Sequence, residues 1–156
     1  MSAIETEWRD YDVIVVGSGG AGGAAAHAAT EAGARVLVVS KDPIGCSDTK
    51  IAEGVTTVRA SAEDGDTEAV LSENLRIAGG DLPPPEITRA FAQDTEDAYN
   101  WLRRHGVRPR IDQARGTPRT LPIPLGGHTH RRSIGHDNGG LAFGHAAWNA
   151  VVQGID

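Results

Sequence analysis

The residues with the clearest chemical potential are three glycines that follow an apolar run near the start of the chain. Gly17, Gly19 and Gly22 have the spacing G-x-G-x-x-G and come directly after YDVIVV at residues 11–16. In a strand-turn-helix setting, such glycines let backbone amides and the positive end of the helix hold a pyrophosphate. We predict that Gly17 makes the tight turn, Gly19 leaves room for the phosphates and Gly22 lets the helix pack on the strand. The intervening residues Ser18, Gly20 and Ala21 belong to the same predicted dinucleotide site.

The elements that must position this turn form one strand-helix-strand unit. Residues 11–16 are rich in β-branched side chains, and residues 35–40 (RVLVVS) have the composition of a second buried strand. Between them, residues 24–32 are alanine-rich and precede Gly33, a residue type common just after a helix. A strand, a turn, a helix and a strand within about 30 residues are typical of a βαβ unit. We therefore predict the α/β class, with a Rossmann-like central parallel sheet and flanking helices.

The end of the second predicted strand bears on which dinucleotide fits. An NAD site usually has Asp or Glu there, which holds the ribose hydroxyls. This chain has Ser40 and Lys41 at that position, and Asp42 comes later. Ser40 can hydrogen-bond a ribose, and Lys41 can face the adenosine or a phosphate. The residues alone leave NAD(P) and FAD both open.

Two helices are predicted in the middle of the chain. Asp66 is expected to cap the first, which ends at Gly79. The prolines at residues 83–85 open the second, which ends at Gly106, and Thr95 is a candidate break within it.

The last third of the chain has less regular patterning. Residues 108–139 show no sustained period, which indicates a long loop or short irregular strands. A final helix is expected after a cap at residue 137 or 138. Its predicted apolar face consists of Leu141, His145, Trp148 and Val152, which makes His145 a predicted core residue.

Histidine and cysteine provide few further candidates. His128 and His130 have the H-x-H spacing that places two imidazoles on one side of a strand, and His136 lies nearby. No cysteine or closely spaced carboxylate completes a ligand set, so we predict no metal site. Cys46 has no C-x-x-C partner, which favours a structural role over a redox role.

Length and composition limit the remaining classes. The 156 residues are enough for one domain, which we predict over residues 1–156, and the single cysteine excludes an internal disulfide framework. No apolar run approaches the ~18 residues of a membrane span, and the acidic start differs from a signal peptide, so we expect a cytoplasmic protein. Aromatic residues make up only 4% of the chain, and we expect no nucleic-acid partner.

The net charge of −6 hides an asymmetry along the chain. Residues 1–102 carry 7 basic and 18 acidic side chains, whereas residues 103–156 carry 8 and 3. The C-terminal third therefore has a net charge of +5, with six arginines between residues 103 and 119. This third is a candidate anion-facing surface.

Five segments, in order along the chain, resemble one known family. They are SDTKIAEG at 47–54, AGGDLPPPEITRAF at 78–91, WLRRHGV at 101–107, GGHTHRR at 126–132 and DNGG at 137–140. Together with the glycine turn they are similar to the N-terminal part of the FAD-binding domain of succinate dehydrogenase, fumarate reductase and L-aspartate oxidase flavoproteins. The resemblance implies FAD as the cofactor. It adds a flavin-contacting loop to the predicted site, with Ser47, Asp48, Thr49, Ala52, Glu53 and Gly54 as its members.

The resemblance also implies a reaction and a mode of cofactor attachment. Members exchange a hydride between flavin and a C4 dicarboxylate, or oxidise aspartate. Asp48 stands where membrane-bound members carry the histidine that is joined to FAD, so we predict non-covalent FAD. The GGH segment lies near the flavin and substrate in the family, which makes His128, His130 and Arg131 candidate substrate-side residues.

Family members are several times longer than this chain. We therefore interpret it as an N-terminal segment of the FAD-binding domain that lacks the capping domain and the family's catalytic residues, so no catalytic residue is assigned. Three hypotheses remain open at this point. In the first, the chain is an enzyme segment that binds FAD but does not turn over alone, and it is completed by further regions and an electron-transfer partner subunit. In the second, it is an NAD(P)-binding dehydrogenase domain. In the third, it is a non-catalytic FAD- or anion-binding module that docks a partner through the basic C-terminal third.

Overall fold

The computed structural model of the protein describes residues 8–52, 54–57, 65–137 and 140–152. In chain order its elements are β1 (Val13–Val16), α1 (Gly20–Glu31), β2 (Val36–Val39), a 3-10 helix (Asp48–Ile51), β3 (Gly54–Thr56), α2 (Glu68–Ala78), α3 (Pro85–Arg104), β4 (Ile111–Asp112), β5 (Thr117–Pro118), β6 (Ser133–Gly135) and α4 (Gly140–Val152). The strands of the described ranges form three two-stranded sheets.

The predicted strand-helix-strand unit is present as β1, α1 and β2. The two strands are parallel, with Val13 opposite Val36 and Val16 opposite Val39. Valine-rich strands suit this pairing because β-branched side chains pack well on a pleated sheet. The α/β class is confirmed: the chain is a partial α/β fold with one parallel strand pair and short antiparallel pairs beside it.

Helix α1 begins at Gly20, not at residue 24 as predicted from the alanine run. Because glycine is unfavourable inside a helix, the sequence predicts that Gly20, Gly22 and Gly23 belong to the turn before the helix. In the structure the amide of Gly23 donates to the carbonyl of Gly19 at 2.8 Å, which closes the first helical turn over these glycines. Gly23 and Ala26 are buried, and their small size lets the helix lie close to its neighbours.

Helix α2 is capped by Thr67, which corrects the prediction of Asp66. The Thr67 hydroxyl accepts a hydrogen bond from the amide of Val70 at 3.2 Å. Asp66 is instead a buried partner of an arginine, described below. The helix ends at Gly79 as predicted, and its buried Leu71 packs against Ala92 of α3.

The Thr67 cap provides a test of this helix. We expect Thr67→Ala to lower the free energy of unfolding by about 1 kcal/mol, because one amide of the first turn loses its acceptor. Urea denaturation measures the change. Thr67→Ser keeps the hydroxyl and is the matched control; a cost for Thr67→Ser equal to that for Thr67→Ala would contradict the assignment of the cap.

Helix α3 is continuous through Thr95, so the suggested break at this residue is wrong. The Thr95 hydroxyl donates to the carbonyl of Ala92 at 3.1 Å within the helix. That local hydrogen bond satisfies a buried threonine without interrupting the helix. Pro85 occupies the first turn, where a missing amide hydrogen costs little.

The segment without periodicity contains short strands, the second of the two predicted forms. β4 pairs with β5 as a hairpin, and β6 pairs with β3 across a long stretch of sequence. A bridge between Thr120 and Ile134 connects the hairpin to β6.

The predicted apolar face of α4 is wrong. Leu141, His145, Trp148 and Val152 are on the exposed side of the helix. The buried side consists of Phe143, Ala146, Ala150 and Val151. Phe143 and Ala146 pack with Val107, while Val151 reaches Val15 and Ala26 of the βαβ unit. His145 is therefore exposed rather than a core residue.

Candidate nucleotide-binding site

Strand β1 ends in a turn that only glycine adopts readily. Gly17 has φ +105°, and its amide donates to the carbonyl of Val39 at 2.8 Å, so the turn is attached to the end of β2. No described atom lies within 4 Å of the position that a Cβ at Gly17 would take. The turn therefore borders open space, as a cradle for a ligand requires.

Gly22 is the point of closest approach between α1 and the turn. A Cβ built there would lie 2.9 Å from the carbonyl carbon of Gly17 and closer still to the oxygen. The same Cβ would touch the side chain of Val15 at 3.5 Å. Only glycine lets the first turn of the helix pack on β1 in this way, in agreement with the role predicted for this position.

The N-terminus of α1 presents unpaired donors beside the turn. The amides of Ala21 and Gly22 have no backbone or side-chain acceptor within the described ranges. The helix dipole adds a partial positive charge of about +0.5 at this end. Free amides and a positive dipole end make an anion-binding site, to which the phosphates of a nucleotide are suited.

The segment around the 3-10 helix contacts the glycine turn directly. The amide of Gly20 donates to the Thr49 hydroxyl at 2.9 Å. A Cβ at Gly19 would lie 3.2 Å from the Ser47 hydroxyl, so this glycine admits the neighbouring segment. The Ser47 hydroxyl is buried and has no hydrogen-bond partner among the described residues. An unpartnered polar atom beside free amides fits a site that a polar ligand completes.

The segment that contains Ser47 and Thr49 also packs closely against helix α4. A Cβ at Gly45 would lie 2.7 Å from the carbonyl oxygen of Gly144 in α4. Lys50 packs on the same helix position, where a Cβ at Gly144 would meet its side chain at 3.3 Å. Helix α4 thus supports the loop that brings Ser47 and Thr49 to the turn.

Ser18 and Ser40 connect the turn to the end of β2. Their hydroxyls are 2.9 Å apart, and the Ser18 hydroxyl also accepts from the amide of Gly45 at 3.3 Å. Ser18 is buried, whereas Ser40 and Lys41 are exposed at the strand end. Ser40 therefore stands beside the turn, where a hydroxyl for a ribose was predicted.

The remaining predicted loop residues lie further along. Asp48 is exposed at the start of the 3-10 helix, and Ala52 is half-buried just after it. Gly54 begins β3, where a Cβ would lie 2.7 Å from the carbonyl oxygen of Ile134. Glu53 lies outside the described residues.

The GGHTHRR segment contributes a buried polar cluster that the sequence did not predict. Arg132 is buried and pairs with the buried carboxylate of Asp66 through two hydrogen bonds, one of them at 2.9 Å. Its guanidinium also donates to Asn74 and to Nδ1 of His128, each at 2.9 Å. The amide and hydroxyl of Thr129 both donate to Asn74. This cluster fixes the GGH segment on α2.

The three predicted substrate-side residues face different neighbours. His128 accepts from Arg132, and burial together with the charge of Arg132 lowers the pKa of its imidazole. His130 lies 2.9 Å from the Thr129 hydroxyl through Nδ1 and is 3.9 Å from Asp66. Arg131 is exposed and lines a cleft beside the β4–β5 hairpin.

His136 belongs to an aromatic cluster. It is 1% exposed, and its ring packs on Phe143 and Tyr99 at centroid distances of 5.1 and 6.2 Å. Neither ring nitrogen makes a hydrogen bond of normal geometry with a described residue. Within the described part of the chain, no group of three or more His, Cys, Asp or Glu side chains could hold a metal ion.

Burial of His136 predicts a loss of stability in acid. Burial lowers the pKa of His136, with Asp137 acting against the shift and Arg110 adding to it. The fold therefore favours the neutral ring. The neutral ring of His136 makes its full contribution to the free energy of unfolding above the unfolded-state pKa of about 6.5. This contribution is lost as the pH falls below that value, by at most about 1.4 kcal/mol per pH unit.

Urea unfolding at neutral and mildly acidic pH measures this dependence. We expect His136→Leu to unfold with a shallower dependence on pH than the unsubstituted protein. The residual dependence includes His128, whose pKa is lowered as well. Replacement of the exposed His145 is the control, and an equal change for both variants would exclude His136 as the source.

The geometry defines a class of protein. A parallel βαβ unit whose glycine turn presents free amides at a helix N-terminus is a dinucleotide-binding unit. The sequence profile of the FAD binding domain family matches residues 12–156. The chain belongs to this family, and FAD is its cofactor.

Curated relatives and a solved structure agree with this membership. The chain is 32% identical over 154 residues to an NADH:fumarate oxidoreductase of Klebsiella pneumoniae, which covers 95% of this chain and 16% of that protein. It is 34% identical over 144 residues to an L-aspartate oxidase of Streptomyces coelicolor, and the match covers 92% of this chain and 24% of that protein. The Mycobacterium smegmatis Sdh1 complex superposes with a TM-score of 0.80 at 28% identity, which covers 92% of this chain and 24% of that one. The chain thus spans a quarter or less of the length of these proteins.

We find no helix in the described ranges with the length and hydropathy that a membrane crossing requires.

Proposed function

We propose that this chain is the FAD-holding part of an oxidoreductase that exchanges a hydride with a C4 dicarboxylate or an amino dicarboxylate. The contact between the glycine turn and the segment of Ser47 and Thr49 carries the proposal. This contact supports the proposal that the pyrophosphate cradle and the flavin loop lie side by side, as one elongated cofactor requires. The names of the relatives, fumarate oxidoreductase and L-aspartate oxidase, support the substrate class.

The residues divide the binding of FAD between them. The amides of Ala21 and Gly22 and the hydroxyl of Ser47 bind the phosphates, Gly17 keeps the approach open, and Gly19 leaves room for the side chain of Ser47. Ser40 binds the ribose from the end of β2. Thr49, Ala52 and Gly54, with Asp48, would border the flavin, and Lys41 would face the adenosine or a phosphate beyond the end of β2. Glu53 remains a candidate from the resemblance alone. FAD supplies the hydride acceptor and donor, while the protein supplies orientation and electrostatics.

The cofactor is held without a covalent bond. Asp48 occupies the position of the histidine that joins FAD in membrane-bound members, and a carboxylate does not offer the ring nitrogen for that linkage. Asp48 is exposed at the start of the 3-10 helix, where its carboxylate can lie beside FAD without a covalent bond.

The GGH segment forms the substrate side of the site. His128 is oriented by the hydrogen bond from the buried Arg132, and His130 lies beside the Thr129 hydroxyl and 3.9 Å from Asp66. Hydrogen bonds from such positioned groups to a carboxylate are stronger than those to a neutral ligand.

Residues 1–156 act as one unit in the cytoplasm and transfer electrons to or from a partner subunit.

Flavin release tests the cofactor part of the proposal. The purified protein is expected to be yellow, and acid precipitation is expected to leave FAD in the supernatant and a colourless pellet. Flavin that stays with the pellet would contradict the non-covalent assignment. Colourless protein that binds NADP but not FAD in a titration would overturn the proposed function.

Reactivity tests the substrate class. In the complete oxidoreductase of which this chain is proposed to be a part, the flavin is reduced chemically without oxygen, and fumarate is then added. Reoxidation of the flavin absorbance by fumarate, with no reoxidation by a monocarboxylate such as acrylate, supports dicarboxylate chemistry. Equal rates with both compounds would contradict it.

A further inference from the structure

The β4–β5 hairpin forms one wall of a polar cleft on the basic part of the chain. The hairpin cleft has a volume of about 340 Å³, and Asp112, Arg115, Thr117, Arg119, Thr120 and Arg131 provide its polar lining. This volume is at the lower end of the roughly 300–1,000 Å³ that is common for ligand sites. It suits a small ligand better than a nucleotide.

The charges in the hairpin cleft are predominantly positive. Arg115 and Arg119 are exposed, and neither makes an ion pair or side-chain hydrogen bond with a described residue. Arg131 has an interaction of its own and belongs to the GGH segment, so the argument depends on the first two arginines. The carboxylate of Asp112 accepts from the amides of Ala114 and Arg115 at 2.9 and 3.2 Å. It therefore stabilises the hairpin turn and is not paired with a guanidinium of the cleft.

The wall that carries Arg119 is held firmly by backbone hydrogen bonds. The Arg119 amide donates to the carbonyl of Arg110 at 2.7 Å, and the Gly135 amide donates to the Arg119 carbonyl at 3.2 Å. The amide of Leu121, two residues further along, donates to the carbonyl of Ser133 in β6 at 2.8 Å. A fixed backbone reduces the entropy lost when a ligand orders the side chains above it.

Two free hydroxyls complete the set of donors. Thr117 and Thr120 are half-buried in the same wall, and their hydroxyls make no hydrogen bond with any residue of the described ranges. Guanidinium groups and hydroxyls together match the oxygen atoms of a carboxylate or phosphate. The hairpin cleft has no residue in common with the glycine turn or with the segment of Ser47 and Thr49.

We propose that the hairpin cleft is an oxyanion site, separate from the FAD site, that binds a small dianion with carboxylate or phosphate groups. Arg115 and Arg119 supply the charge, and Thr117 and Thr120 supply neutral donors. The site does not depend on the reaction proposed above, because its ligand is recognised by charge and shape alone.

Calorimetric titration of the purified protein with succinate and with inorganic phosphate tests the proposal, with chloride used to keep the ionic strength constant. The double variant Arg115→Gln/Arg119→Gln is compared with Arg89→Gln/Arg104→Gln, which removes the same charge from exposed positions of α3. We expect the first pair to weaken binding at least about tenfold, because both charge-assisted contacts are lost. The control pair is expected to change the dissociation constant less than twofold.

The outcomes are distinguishable from those for the flavin site. Binding of phosphate alone or of succinate alone, weakened by Arg115→Gln/Arg119→Gln and not by the control pair, supports the proposal and identifies the source of the anion. Equal weakening in both double variants would show a general surface field and overturn it, as would the absence of binding by either anion. Amide chemical shifts of the unsubstituted protein provide a test that needs no variant: shifts on anion addition must centre on residues 117–121. Flavin absorbance remains unchanged on addition of phosphate if the two sites are separate.

Discussion

The Gly22→Ala variant is expected to lose FAD binding and to be less stable than the unsubstituted protein. The new methyl group would overlap the carbonyl of Gly17, which is backbone and cannot rotate away. Overpacking of this kind costs about 1–3 kcal/mol even where side chains can adjust. Relief requires that α1 move away from β1, which displaces the free amides of Ala21 and Gly22 from the turn.

Two further glycines provide graded controls for this prediction. A Cβ at Gly20 would meet the Thr49 side chain at 3.3 Å, and a Cβ at Gly126 would meet nothing within 4 Å. FAD affinity, measured by fluorescence titration, is expected to fall strongly for Gly22→Ala, modestly for Gly20→Ala and not at all for Gly126→Ala. FAD binding by Gly22→Ala with unchanged affinity would contradict the packing of the turn described here.

The Arg132→Met variant is expected to lose about 3–5 kcal/mol of folding stability. The side chains of Arg132 and Asp66 are 0% and 1% exposed, so removal of the guanidinium leaves a carboxylate buried without its partner. An uncompensated buried charge is among the most destabilising effects of a single substitution. His128 and Asn74 lose a hydrogen bond in the same change, so the GGH segment loosens from α2.

An exposed ion pair provides the matched control for Arg132. Arg110 lies 3.3 Å from Asp137, with side chains 59% and 69% exposed. Water screens such a pair, so Arg110→Met is expected to cost only about 0–1 kcal/mol. The double variant Arg132→Met/Asp66→Leu removes both buried charges and is expected to recover part of the loss. Urea denaturation that gives equal costs for Arg132→Met and Arg110→Met would refute the buried pair.

The sequence predicted the glycine turn well because its chemistry is local. The positive φ of Gly17 and the close approach at Gly22 are requirements of a few neighbouring residues, so spacing alone revealed them. The order of β1, α1 and β2 was predicted for the same reason. The start of α1 was not, because the hydrogen bond from Gly23 to Gly19 outweighs the low helix propensity of glycine.

Long-range packing decided what the sequence could not predict. In α4 the stripe with Leu141 and Trp148 has the large apolar side chains that favour burial in a sequence pattern. The side with Ala146 and Ala150 is buried instead, because the small residues let the helix approach its neighbours. Arg131 and Arg132 are adjacent and chemically identical, and nothing local distinguishes the exposed one from the buried one. The distinction depends on Asp66, which is distant in the sequence and which local patterning had assigned to a helix cap.

The central claim is that the phosphates of FAD bind at the N-terminus of α1, and amide chemical shifts during titration with FAD test it most directly. The account predicts that the largest shifts occur at the amides of Ser18, Gly19, Ala21 and Gly22. FAD that binds while these amides keep their positions in the spectrum would contradict it.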